Sequence, residues 1–190
     1  DVYKLDNMPA LKTLVAKESQ GLPHGNVIKV LPGDFLAPSL LSSLDAGCSM
    51  VKVMNNIPID LVCFGNHDGN DITPSKLAHR IAEFRGQWLN SNIPGFEPKL
   101  PDSTVRELTA EDGTPCARKV AFLGFCIGGG KWQVMYREDA FCGAHRSIIP
   151  VLEAVPGAVG AVRSRHPDVA EIIPLTHQDL AEDAEMAKMG

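Results

Sequence analysis

Two rhythms of apolar residues alternate along this chain. Short apolar runs stop abruptly at glycine or proline, and between them lie longer stretches in which apolar side chains return every three or four residues. The first kind suits strands buried on both faces and the second suits amphipathic helices. Helical spacing covers Asn7 to Lys17, with Met8, Leu11, Leu14 and Val15 on one face and Pro9 near the first turn. After a loop over Gln20 to Asn26, the β-branched run Val27 to Leu31 predicts a strand that ends at Pro32-Gly33-Asp34. Ser39 to Asn55 predicts a helix that Gly47 weakens in the middle, and Ile59 to Phe64 predicts a second strand. Thr73-Pro74 opens a helix that carries Leu77, Ile81 and Phe84 inward and stops at Gly86.

Trp88 to Ile93 predicts a third strand, followed by the proline-rich Pro94 to Pro101. Thr104 to Leu108 and Lys119 to Phe125 pair around a turn at Glu111-Asp112-Gly113, and Gly128 to Gly143 is irregular, mixing glycine with Trp132 and Tyr136. Ser147 to Arg163 has helical spacing interrupted by Pro156 and Gly157, Val169 to Leu175 predicts a last strand ending at Thr176-His177, and Asp179 to Met189 a last helix. Strands alternating with helices imply an α/β fold with a mostly parallel central sheet flanked by helices.

Composition narrows the function. At 190 residues the chain has the length of one ordinary domain, and its net charge of -5 argues against a general binder of nucleic acid or anionic membrane. No apolar run approaches the ~20 residues that span a bilayer, and no signal-peptide pattern precedes Asp1. The five cysteines are widely spaced and lack a Cys-x-x-Cys pair, which excludes a disulfide framework or zinc ribbon; Cys63 and Cys126 lie inside apolar runs, and reduced thiols would fit a cytosolic compartment. His24, His79, His145 and His166 fall in expected loops or on helix surfaces and read as solvated. Gly128-Gly129-Gly130 has no Lys-Ser/Thr pattern after it, so it reads as a connection and not a phosphate loop.

The candidate chemistry lies where strands run out. Leu61 to Asp68 reads Leu-Val-Cys-Phe-Gly-Asn-His-Asp, an apolar strand that delivers an amide, an imidazole and a carboxylate to one point. Gly33-Asp34 and Thr176-His177 end two other expected strands. Parallel neighbours would bring all of these to one rim, about 5 Å apart per strand. Carboxylate, amide oxygen and imidazole in combination suit Mn, Fe, Zn or Mg, and two such cations can clamp the oxygens of a phosphoester.

Gly33-Asp34, Gly65-Asn66-His67-Asp68 and a strand-end His177 resemble the calcineurin-type metallophosphoesterases. The fuller strings Val30 to Ser39, Val62 to Asp68, Trp88 to Ile93 and Pro174 to Gln178 are similar to the 5′-nucleotidase branch. The resemblance covers nearly the whole chain. It implies a layered metallophosphoesterase-type fold, two divalent metal ions (Mn, Zn, Mg, Co or Fe) and hydrolysis of a nucleoside monophosphate by metal-bound hydroxide. By the same resemblance Asp34 bridges both metals, Asn66 and His177 bind the second, and Asp1 binds the first. His67 serves the departing oxygen as a catalytic residue, with Asp68 orienting it.

The sequence departs from the family's pattern in three places. Tyr3 stands where a histidine is expected, no strand precedes Asp1, and the closing Gly-His-x-His motif does not occur before Gly190. The expectation is therefore a partial catalytic domain over residues 1–190, without the nucleotidase specificity domain and with little activity of its own. A cyclic-nucleotide or other phosphodiesterase, a decayed homologue serving as a binding module, and an unrelated nucleotide-binding α/β domain are the alternatives.

Overall fold

A computed structural model describes residues 5–23, 25–110 and 114–189. In chain order the elements are helix α1 (Met8–Glu18), strand β1 (Val30–Pro32), α2 (Leu40–Asp45), α3 (Cys48–Asn56), β2 (Leu61–Cys63), α4 (Asn66–Asn70), α5 (Pro74–Glu83) and β3 (Gln87–Leu89). They continue with β4 (Ser103–Thr109), β5 (Pro115–Cys126), α6 (Val151–Arg165), β6 (Val169–His177) and α7 (Leu180–Met186). Between β5 and α6 the chain forms two 3-10 segments, Gly130–Met135 and Ala140–Ser147.

Among the described residues six strands form two sheets. β1, β2 and β3 lie side by side and all parallel, Val62 standing between Leu31 and Trp88. In the second sheet β5 is central, antiparallel to β4 and parallel to β6. The mostly parallel, helix-flanked layering is thus present, distributed over two sheets that face each other. Strand alternation explains how. Leu61, Cys63 and Leu89 turn inward to meet Val120, Phe122 and Leu175 of the second sheet. Val62, Phe64 and Trp88 turn outward under α3 and α5, while Ala121, Leu123 and Phe125 turn to the other side under α6. The sheets meet closely at Gly124, where a Cβ would stand 2.7 Å from Leu89 Cβ and 2.9 Å from Cys63 Cβ.

Local chemistry sets the helix ends. The expected helix over Ser39 to Asn55 is two helices, because Ala46 and Gly47 are left-handed and the carboxylate of Asp45 accepts the N–H groups of Gly47 and Ser49 at the start of α3. Ser39 and Ser42 form a capping box at the start of α2. Pro156 does not interrupt α6, which runs unbroken from Val151 to Arg165. Proline removes one hydrogen bond to the carbonyl four residues back, and Pro156 stands on the exposed face. The loop aromatics have structural partners: Tyr136 hydrogen-bonds the carbonyl of Ile127, and Trp132 donates to Glu182 at 2.9 Å. His145 departs from its expected solvation, being buried with no partner for Nδ1 among the described residues.

Candidate functional site

Three strand ends converge, but by sheet-to-sheet packing and not as neighbours in one sheet. β1 ends at Pro32 and β2 at Cys63 in the first sheet, while His177 closes β6 of the second. The His177 ring spans the gap. Its Nδ1 lies 3.0 Å from the Pro32 carbonyl, and its Nε2 lies 3.1 Å from Asp34 Oδ2 and 3.2 Å from Asn66 Oδ1. A carbonyl can only accept, so Nδ1 carries a hydrogen and the tautomer is fixed. Burial lowers the pKa of this imidazole, but the hydrogen bond and negative charge of Asp34, and then the Pro32 carbonyl, outweigh it and raise the pKa overall.

The loop that carries Asp34 approaches the β2 end so closely that side chains are excluded. A Cβ on Gly33 would stand 2.5 Å from Gly65 N, and one on Gly65 would stand 2.1 Å from Asp34 Oδ1. Gly33 has φ +77°, and Asp34 itself is left-handed at φ 48°. That conformation costs a non-glycine residue on the order of 1–2 kcal/mol, and the surroundings hold it in place. Asp68 Oδ2 accepts the N–H groups of Asp34 and Gly65, and Asp68 Oδ1 those of Phe35 and Leu36, at 2.9–3.1 Å. Asp34 Oδ1 in turn accepts the His67 N–H at 2.9 Å.

Asp68 therefore does not orient His67 as the resemblance implied. It is fully buried, and both its oxygens serve backbone N–H groups. Burial first, and then the charge of Asp34, push its carboxyl up to about 6, against the downward pull of the Gly65 and Leu36 N–H groups and of His177. The residue against the His67 ring is Asp71, with Oδ2 2.6 Å from Nδ1. The chain turns into helix α4 at Asn66, which places residues 67 and 71 on one face. Their side chains keep 39% and 35% of their exposure. The sequence offered a signal for Asp71, an acid four residues beyond a histidine, only to a reader who expected a helix there.

Of the residues proposed from sequence, Asp34, Asn66, His67 and His177 come together, Asp68 lies beneath them, and Asp1 falls outside the described residues, as does Tyr3. Among the described residues no group of three His, Cys, Asp or Glu side chains could hold a metal ion. The converging donors are one imidazole nitrogen, one carboxylate and one amide oxygen. This set fits a divalent cation chemically: Nε2 faces two acceptor oxygens, so the proton between them stands where a cation would compete for the same three atoms.

No protein-family model matches the chain, and no curated protein matches it by sequence. Solved structures do match. The sulfate thiohydrolase SoxB of Thermus thermophilus aligns over 95% of this chain with a TM-score of 0.75 at 18% identity. The NAD nucleotidase NadN of Haemophilus influenzae aligns over 95% at 0.74 and 18%, and a 5′-nucleotidase precursor of Thermus thermophilus over 95% at 0.70 and 17%. The aligned region is 32%, 33% and 32% of those chains, so this chain spans about a third of their length. Its fold is the one that SoxB, NadN and the 5′-nucleotidase share over that third.

Proposed function

We propose that this chain supplies a divalent-metal site and the leaving-group acid of a calcineurin-type phosphoester hydrolase of the 5′-nucleotidase branch, acting on a nucleoside monophosphate. One observation carries the reading. His177 Nε2 faces Asp34 Oδ2 and Asn66 Oδ1 together, donors brought from three separate strand ends. Asp34, Asn66 and His177 would hold one cation, and Asp34 would reach a second, toward which Asp1 is assigned. Bound there, two divalent cations would neutralise phosphate oxygens and lower the pKa of coordinated water.

The chain's own groups do the rest. The Pro32 carbonyl fixes the tautomer that aims His177 Nε2 at Asp34 and Asn66. Asp68 holds the Asp34 loop in its left-handed conformation. Asp71 anchors His67 through Nδ1, so that Nε2 can hand a proton to the departing oxygen. A nucleotide substrate is favoured by the names of NadN and the 5′-nucleotidase, whereas SoxB is named for a thiohydrolase, so the fold alone does not choose.

The test is phosphate release from adenosine monophosphate by the natural protein that contains this chain. Release should require Mn²⁺, Zn²⁺, Mg²⁺ or Co²⁺ and should fall by about 10²-fold to 10⁴-fold in His67→Ala. Chelator-insensitive release, or full activity in that variant, would contradict the proposal. Turnover of cyclic nucleotides in place of the monophosphate would move the substrate to the phosphodiester class.

A further inference from the structure

At the opposite end of the first sheet from the candidate site, Arg106 stands between two clefts, and among the described residues no carboxylate pairs with it. On β4, Val105 packs outward into the layer under α6, so strand alternation turns Arg106 inward, toward the amino-terminal ends of β1, β2 and β3. One cleft, a cavity of about 360 Å³, lies beside Lys29 and Asp60 with Val27 and Ile28 as apolar wall. The other, of about 410 Å³, lies beside Arg85 and Gln87, and Arg106 and Asp60 line both.

A guanidinium has five N–H donors in a fixed fork. Among the described residues that of Arg106 makes one hydrogen bond, to Gln87 Oε1 at 3.5 Å, which is the outer limit, and no ion pair. Asp60 is the acid lining these clefts, and its Oδ2 is already engaged by the Lys29 ammonium at 2.6 Å and the Lys29 N–H at 2.7 Å. Three cations, Lys29, Arg85 and Arg106, thus face one carboxylate, in a chain whose net charge is -5. A local excess of two positive charges matches a dianion better than a monoanion, and a half-buried guanidinium fork suits a phosphate's paired oxygens.

We propose that these clefts form a binding site for a small phosphorylated molecule, with the phosphate on Arg106 between Lys29 and Arg85 and a less polar body along Val27 and Ile28. The site is separate from the strand-end cluster and does not rest on the phosphoester hydrolase reading. Its test uses chelator-treated protein titrated at constant ionic strength with inorganic phosphate, and with phenylphosphonate, which carries an apolar body and no ester to hydrolyse.

Amide chemical shifts should change saturably around Lys29, Asp60, Gln87 and Arg106, with phenylphosphonate binding the tighter of the two. Arg106→Gln should weaken both by about tenfold or more, and His177→Ala should leave them unchanged. Should Arg106→Gln fail to fold, the exposed Arg85→Gln should still weaken binding several-fold. Shifts matched by sodium chloride alone, shifts centred on Asp34 and His177, or undiminished binding in a folded Arg106→Gln or Arg85→Gln variant would overturn the proposal.

Discussion

Replacing Gly65 with alanine should separate the two loops that build the candidate site. The added Cβ would stand 2.1 Å from Asp34 Oδ1, 2.3 Å from Asp34 N and 2.6 Å from Asp34 Cγ. Ordinary contact begins near 3.4 Å, so something must move by more than about 1 Å. Neither side can yield cheaply, because Asp34 N is held by Asp68 and Asp34 Oδ1 by the His67 N–H. Overpacking of this kind costs about 1–3 kcal/mol, and loss of one hydrogen bond to a charged acceptor adds about 1.5–3 kcal/mol. The sum is about 2.5–6 kcal/mol, which in a domain of this size lowers Tm by about 5–24 °C.

Gly160→Ala is the matched control. It lies in α6 with nothing within 4 Å of the point where an added methyl would stand, so alanine there should stabilise by about 0.5–1 kcal/mol. Thermal unfolding followed by circular dichroism measures both. A Gly65→Ala protein that melts within about 1 °C of the parent would refute the close approach of the Asp34 and Asn66 loops, and with it the geometry of the site.

The other substitutions separate support from chemistry. Asp68→Ala leaves four backbone N–H groups without their acceptor and should cost about 4 kcal/mol or more; a melting temperature equal to the parent's would deny Asp68 its supporting role. Asp71→Asn, at a half-exposed position, should change stability by less than about 1 kcal/mol yet slow phosphate release by about 10-fold to 100-fold, and unchanged turnover would free His67 from Asp71. For His177 the sign follows from its raised pKa: its contribution to metal-free stability is fully present below the ordinary value near 6.5 and is lost as pH rises through the raised one. The gap in Tm between parent and His177→Gln should therefore narrow from about pH 6 to about pH 9, and a gap that widens would reverse the assignment.

The candidate-site residues were legible in the sequence because each stands where an apolar run stops, the pattern of a strand end. Gly33-Asp34, Gly65-Asn66 and Thr176-His177 all have this form. The roles of Asp68 and Asp71 were not legible. Five residues from Asn66 to Asn70 are too few to show a helical period, yet the helix decides that Asp68 turns under the loop while Asp71 meets His67. The division into two sheets was hidden for a related reason. Leu61 and Cys63 read as apolar whether the face they cover is a helix or another sheet, and only the contact with Val120, Phe122 and Gly124 distinguishes the two. The break between α2 and α3 depends on Asp45, whose carboxylate reaches forward to Gly47 and Ser49 where the apolar spacing runs on undisturbed.

The central claim is that Asp34, Asn66 and His177 hold a divalent cation together. Calorimetric titration of the chain with Mn²⁺ at about pH 7.5, in parallel with His177→Ala and Asn66→Ala, tests it most directly. The parent should bind Mn²⁺, and each substitution should weaken that binding by about tenfold or more. Equal binding by all three proteins, or no binding by the parent, would contradict the claim.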